Sequence, residues 1–272
     1  MKHAFLILAH NEFEMLQRLL DALDVSGNTV FVHIDKKVRI FPELMMRKGK
    51  LVVISKRIKT YWGDRSLIEA EFELMRAAQS FGQYDYYHII SGTHFLVVSQ
   101  KEFESRFVLF EGKSVLQPSE IFPNEIRMKI GKYHYFIKNQ SSLKNVLWRL
   151  LLKIQDCLPL RDISHIKSKA SQWCSLAKKD VTKLLDNEKR LLRLFRRTFC
   201  CDEFFMPAAL SLLGIDAIWY DKLLYVDFYK ANPRVLTLAD FDGIIDSGCI
   251  FARKFNRESF DLIDKICQNT RI

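Results

Sequence analysis

Residues 4–12 read Ala-Phe-Leu-Ile-Leu-Ala-His-Asn-Glu, an apolar run that stops abruptly at His10, Asn11 and Glu12. It is apolar on both faces and too short for a helix, which predicts a strand covered from above and below. Thr29 to Ile34, Lys50 to Ser55 and Tyr84 to Ile90 repeat the pattern. Between them, Glu14 to Leu23 (Met15, Leu16, Leu19, Leu20, Leu23) and Ser66 to Ser80 (Leu67, Ala70, Leu74, Ala77) carry apolar residues at helical spacing, with Ser66 as the expected cap. Strands alternating with helices predict an α/β fold with a mostly parallel sheet flanked by helices. Such sheets bind ligands where strands run out at their carboxyl ends. Those ends read Ala9-His10-Asn11-Glu12, His33-Ile34-Asp35-Lys36 and Ile90-Ser91-Gly92-Thr93-His94.

With 272 residues, 49% of them apolar and 27% charged, the chain has the composition of a globular protein, which excludes dominant disorder. Only 10 Gly and 6 Pro leave no material for a long linker, so one continuous domain over 1–272 is expected. The six cysteines form no Cys-x-x-Cys pair and read as reduced structural thiols. The N-terminal run is too short for a secretory signal, and no uncharged apolar run reaches the roughly 18 residues of a membrane span. A cytoplasmic protein is expected. No Gly-x-Gly-x-x-Gly follows the first strand and no P-loop occurs, so the dinucleotide and P-loop classes fail.

The formal charge is +10, and most of it lies between Ile126 and Gln155, where Arg127, Lys129, Lys132, Lys138, Lys144, Arg149 and Lys153 meet no Asp or Glu. Such a surplus attracts phosphates, anionic headgroups or acidic sugars. Within it, Leu143, Val146, Leu147, Leu150, Leu151 and Ile154 mark an amphipathic helix, which either packs on the core or lies on a membrane surface. A second helical pattern, from Leu184 to Phe195, ends in Arg196-Arg197.

Three other stretches hold candidate chemistry. Asp202-Glu203 stands directly before Phe204, Phe205 and Met206, where an isolated carboxylate is costly unless it has partners or a task. Phe251-Ala252-Arg253-Lys254-Phe255 sets two cations between aromatics, and Arg234 supplies a third; together they suit a phosphate. Asp240-Phe241-Asp242 is a literal Asp-x-Asp, but Asp240 reads as a helix cap before Phe241 to Ile245. The seven histidines show no ligand spacing and read as structural.

Seven of these stretches in order resemble the core-2/I-branching family of glycosyltransferases. They are Ala9-His10-Asn11, His33-Ile34-Asp35-Lys36, Trp62-Gly63 with Ser66, Tyr84-Asp85-Tyr86 leading to Ser91-Gly92, Ser171-Gln172-Trp173, Asp202-Glu203-Phe204-Phe205, and Phe251-Ala252-Arg253-Lys254-Phe255. The resemblance implies a GT-A type nucleotide-sugar-binding fold, with a donor-nucleotide half over 1–111 and an acceptor and catalytic half over 112–272. It implies inverting transfer without a divalent metal or other cofactor, from a UDP-sugar donor, UDP-GlcNAc foremost. By the same resemblance Glu203 is the general base, and Arg253, Lys254 and Arg234 hold the donor diphosphate. Asp35, Trp62, Ser91, Gly92 and His10 contact the nucleotide and sugar, while Trp173 and Asp202 face the acceptor.

The family pattern has Asp-aromatic-Pro after Ser-Gly, where this chain has His94-Phe95-Leu96, and Pro before the Asp-Glu pair, where it has Cys201. The expected acceptor is a glycan or lipid-linked glycan in bacterial surface polysaccharide assembly, with peripheral contact to an anionic inner membrane face. The competing reading is a nucleic-acid-binding protein that uses the 126–155 stretch, stacking bases on Tyr133, Tyr135, Phe136 and Trp148.

Overall fold

The computed structural model describes residues 1–138, 142–158, 161–229 and 232–270; at Ser142 and Leu143 it describes the backbone alone. The expected helical side chain of Leu143 therefore lies outside the described residues.

The strands are β1 (His3–Ala9), β2 (Asn28–Ile34), β3 (Lys50–Val53), β4 (Tyr86–Ser91), β5 (Phe95–Leu96), β6 (Val115–Pro118), β7 (Ala170–Ala177), β8 (Ile218–Trp219), β9 (Leu224–Val226), β10 (Phe228–Tyr229), β11 (Asn232–Pro233) and β12 (Phe251–Arg253). The α-helices are α1 (Phe13–Ala22), α2 (Ser66–Phe81), α3 (Gln100–Leu109), α4 (Ser142–Ile154), α5 (Lys178–Asp186), α6 (Glu188–Leu194), α7 (Asp202–Leu212), α8 (Phe241–Ser247) and α9 (Phe260–Thr270).

The main sheet has the order β3-β2-β1-β4-β7-β6-β8. Every residue of β1 and β2 is buried, as the uninterrupted apolar runs require. Within this sheet β7 alone runs against the others: it is antiparallel to β4 and to β6, while the remaining pairings are parallel. This is the mixed, mostly parallel α/β architecture that the sequence predicts. Small sheets β5-β12-β9 and β10-β11 complete it.

The 111/112 boundary falls in a turn where Glu111 and Gly112 both have positive φ. β6 and β7 nonetheless continue the sheet, and one hydrophobic cluster runs from Ala4 to Ile266.

Three local expectations change. Ser66 is the first residue of α2 rather than its cap; its Oγ accepts the Tyr61 N–H (3.0 Å), and Asp64 Oδ1 accepts the Ser66 N–H (2.9 Å). The Leu184–Phe195 pattern is two helices broken at Asn187, and Arg196-Arg197 lies beyond the second, so these cations do not serve a helix terminus. Asp240 belongs to a capping box with Thr237, closing the short turn Leu238–Asp240 rather than capping α8.

Two of the buried histidines, His3 and His88, pack against each other. His3 Nδ1 lies 2.9 Å from His88 Nε2, and His88 Nδ1 lies 2.9 Å from Ser175 Oγ, with the rings of Phe5, Phe103 and Phe107 around them. Burial is the main cause lowering His3 to about 4 from 6.5, and burial takes His88 well below that ordinary value. The unfolded chain binds protons here before the folded chain does, so this stability is present above pH 6.5 and is lost as pH falls toward 4. His3→Asn keeps a polar atom near the Nδ1 position but cannot take up a proton. Thermal melts from neutral pH down to pH 4 should show a shallower acid-side loss in the variant, by up to about 3 kcal/mol; identical slopes would refute the assignment.

Candidate active site

The parallel strands β1, β2 and β4 end side by side. The Asp35 N–H donates to Ala9 O (2.8 Å) and the Gly92 N–H to Leu8 O (2.9 Å). Gly92 fits this close approach because a Cβ there would sit 3.3 Å from Ala9 Cβ. Asp35 is 2% exposed, and its carboxylate accepts from the Lys37 N–H (2.7 Å), the Thr60 N–H (3.2 Å) and the Thr60 hydroxyl. Burial raises this carboxyl, but those hydrogen bonds and the Lys37 charge outweigh it and hold the group below its usual value. Asp35 thus braces the loop that carries Trp62, which is 70% exposed. His10, exposed after β1, is lowered by desolvation and by Lys37 and Lys254, with Asp35 opposing, which places all three charges around it.

The β12 end reaches the same edge. The Phe255 N–H donates to Thr93 O (3.0 Å) and the Leu236 N–H to Lys254 O (2.8 Å). Arg253 lies with its guanidinium carbon 5.0 Å from the Trp173 ring centroid, its Nε is buried without a partner, and burial lowers it to about 10. Among the described residues neither Arg253 nor Lys254 forms an ion pair. Arg234 differs: it is held by Asp227 (2.7 Å) and by both oxygens of Asp240, so its charge is already matched. Asp240 of the Asp-x-Asp is likewise engaged, by Arg234 and the Thr237 N–H (2.7 Å).

Trp173 is 9% exposed, with Arg253 on its ring and His94 against it at 4.9 Å, so its ring supports the cation more than it presents a surface to an acceptor. His94 is fully buried. Its Nδ1 accepts the Ser91 N–H (3.1 Å) and lies 2.8 Å from Ser91 Oγ, leaving the ring neutral with its proton on Nε2. Ser91 is therefore positioned by the residue that departs from the family pattern.

Glu203 stands in the first turn of α7, partly exposed, 3.3 Å from Lys169 Nζ and 3.5 Å from Lys129 Nζ. Both lysines also pair with the half-buried Glu125, at 3.0 and 2.6 Å. This four-charge cluster was not foreseen, although Glu125 four residues before Lys129 is a local signal for part of it. Asp202 is pushed up to about 6, by burial and then by the Glu203 charge. Beneath it, Glu71 of α2 is 2% exposed and accepts from Gln172 Nε2 (2.7 Å). The loop before α7 is pinned by Gly63: the Cys200 N–H donates to Gly63 O (2.8 Å), and a Cβ at Gly63, whose φ is +71°, would lie 2.7 Å from the Phe199 ring.

The 126–155 stretch is not a free basic surface. Arg127 and Lys132 pair with Asp156 (3.5 and 2.6 Å), Lys138 with Asp64 (3.4 Å) and Lys129 with Glu125 and Glu203. Trp148 packs on His134 and Phe199 instead of standing open to a base.

Residues 3–240 match the model of the family described as Core-2/I-Branching enzyme. Among solved structures, the chain is similar to mouse xyloside xylosyltransferase 1 in its apo form, at 10% identity and a TM-score of 0.41 over 95% of this chain and 98% of that one. It is also similar to residues 1–349 of S. aureus TarS, at 10% identity and a TM-score of 0.38 over 77% of this chain and 55% of that one. No curated protein matches.

Glu71 yields a pH test. Burial, with Asp202 adding and the Gln172 hydrogen bond opposing, raises it to about 8 from 4.5. The folded chain therefore keeps a proton that the unfolded chain has lost, and that stability, complete below pH 4.5, disappears as pH rises through 8. Glu71→Gln should melt above the parent protein at alkaline pH, with the gap closing toward pH 4.5; a constant offset would refute the reading.

Proposed function

The chain belongs to the Core-2/I-branching enzyme family of glycosyltransferases, which join a nucleotide-sugar donor to a glycan acceptor, and we propose that it is an inverting, metal-independent N-acetylglucosaminyltransferase using UDP-GlcNAc. The observation that carries this reading is the presence, at one sheet edge, of a half-buried guanidinium that has no carboxylate partner among the described residues and of a partly exposed Glu203.

In the reaction, Glu203 takes the proton of an acceptor hydroxyl as its oxygen attacks the anomeric carbon, and the bond to the UDP oxygen breaks on the opposite face. Negative charge gathers on the departing diphosphate. Arg253 and Lys254 are the cations available to meet it, and Arg253 is already desolvated, so little reorganisation is needed at the moment of bond cleavage. Arg234 assists as a brace, since Asp227 and Asp240 occupy it. The same commitment of Asp240 supports a metal-free mechanism, because its carboxylate is engaged by Arg234 and Thr237. His10, Ser91 and Gly92 border the nucleotide and sugar, Trp62 overhangs them from its exposed loop, and Asp35 reaches the base through the loop it holds. Asp202, half-buried beside Glu203, shapes the acceptor side.

The setting in this reading is cytoplasmic, with 1–111 supplying most of the nucleotide side and 112–272 the acceptor side, and with a glycan or lipid-linked glycan of bacterial surface polysaccharide assembly as acceptor. Among the described residues no helix is long and apolar enough to cross a membrane, so contact with a bilayer would be peripheral.

Glu203→Gln should lower transfer by about 10²- to 10⁴-fold while UDP binding, followed by calorimetry, is retained. Arg253→Ala should weaken UDP binding and cut turnover by about 10²-fold or more. Donor hydrolysis across a nucleotide-sugar panel should favour UDP-GlcNAc and persist in EDTA; activity lost in EDTA and restored by manganese would overturn the metal-free mechanism.

A further inference from the structure

α4 carries a surface that the described residues leave uncovered. Val146 is 68% exposed, Leu147 44%, Leu150 52% and Ile154 49%, and Leu158 just beyond the helix is 55% exposed. Positions 146, 150 and 154 recur every four residues with Leu147 beside them, so these side chains share a stripe about 100° wide. Arg149 and Lys153 are exposed along one edge of it. The opposite face is anchored: Trp148 Nε1 donates to His134 Nδ1 (3.2 Å), Lys132 Nζ donates to Leu152 O (2.9 Å), and the Tyr133 N–H donates to Gln155 Oε1 (2.6 Å). The helix is thus held firmly with its apolar side outward, whereas a core-packed helix would turn that side in.

We propose that this face is the docking surface for an anionic lipid bilayer. Charge complementarity decides the occupant. No Asp or Glu occurs from Ile126 to Gln155, and the first one after it, Asp156, is matched by Lys132 and Arg127. An apolar stripe bordered by cations suits acyl chains beneath anionic headgroups. A second copy of this chain is a poorer occupant, because an antiparallel two-fold pairing of the stripes gathers Arg149 and Lys153 of both copies along one edge of the seam.

The placement of the face also matters. Trp148 packs on Phe199 (5.6 Å between centroids), three residues before Asp202, and Phe199 packs on Trp62 (5.4 Å). A bilayer seated on the outer face of α4 is therefore separated from the loop leading into α7 by the width of that helix, roughly 10 Å, a distance that an acceptor sugar carried on a lipid can span. That last step rests on the transferase reading; the bilayer contact does not.

The test uses the full chain with vesicles of phosphatidylcholine alone and of phosphatidylcholine with phosphatidylglycerol. Co-sedimentation should require the anionic lipid and weaken at high salt. Val146→Glu/Leu150→Glu should reduce it at least about tenfold, with unchanged circular dichroism and donor hydrolysis. Arg149→Gln/Lys153→Gln, which leaves the apolar stripe intact, should also weaken binding to anionic vesicles. Absence of anionic-vesicle binding, binding indifferent to both variants, or a dimer in sedimentation velocity that Val146→Glu/Leu150→Glu dissolves would each overturn the bilayer assignment. Loss of donor hydrolysis in the parent protein with vesicle binding intact would instead count against the transferase reading alone.

Discussion

The site depends on one strand running the wrong way. Parallel strands deliver only their carboxyl ends to the ligand edge, which here supplies His10, Asp35 and Ser91-Gly92. β7 is antiparallel to β4, with Tyr86 opposite Ala177 and Ile89 opposite Cys174, so its amino-terminal end reaches that same edge. Lys169, Gln172 and Trp173 arrive there by that register. Each holds something the site needs: Lys169 touches Glu203, Gln172 donates to Glu71, and Trp173 carries Arg253. A slip of one residue would turn Trp173 to the other face and leave Arg253 unsupported.

The charges around this strand fall into two kinds. On the α7 side they are matched internally: Glu125, Lys129, Lys169 and Glu203 balance one another, and Glu71 deals with its burial by keeping its proton. On the β12 side Arg253 is half-buried and unmatched among the described residues, and lowering it from 12.5 to about 10 corresponds to a penalty of at most about 3 kcal/mol against its charged form. A buried cation is normally retained only with a partner. An arriving diphosphate supplies the missing partner and recovers part of that penalty, so the fold holds in advance a cation aimed where leaving-group charge develops. His94 fits this arrangement. The neutral imidazole, held by Ser91 and packed on the same Trp173 ring, adds no negative charge that would compete with a ligand for the guanidinium.

How much of this was legible in the sequence follows from how local each signal is. A strand buried on both faces announces itself in six or seven consecutive residues, so β1, β2 and β4 and the polar residues at their ends could be read directly. For Glu203 the sequence by itself says only that a carboxylate pressed against Phe204 and Phe205 needs partners, which the fold supplies as Lys169 and Lys129; its role as base rests on the family resemblance. Lys169 and Glu71 were not readable, since neither has a neighbour in sequence that hints at a role; one reaches the site through the β7 register and the other from the buried face of α2. Arg234 is the opposite case. Its residue type suits a phosphate, but Asp227 and Asp240, seven and six residues away in the chain, reach it first. The break at Asn187 escaped notice because the leucine spacing carries across it while the backbone does not.

The +10 surplus with which the sequence advertises itself resolves by the same accounting. Four of the seven cations between 126 and 155, Arg127, Lys129, Lys132 and Lys138, have internal carboxylate partners, so they fasten the segment to the fold. Of the rest, Arg149 and Lys153 stand exposed on α4 beside its apolar stripe. Net charge alone therefore said little about partners, because a cation matched at 2.6 Å by Asp156, as Lys132 is, contributes almost nothing to the field outside the protein. What distinguishes α4 is the coincidence of exposed cations, unmatched among the described residues, with unburied leucine, isoleucine and valine. Water is a poor solvent for the second and a nucleic acid offers them no surface, whereas an anionic bilayer meets both demands at once.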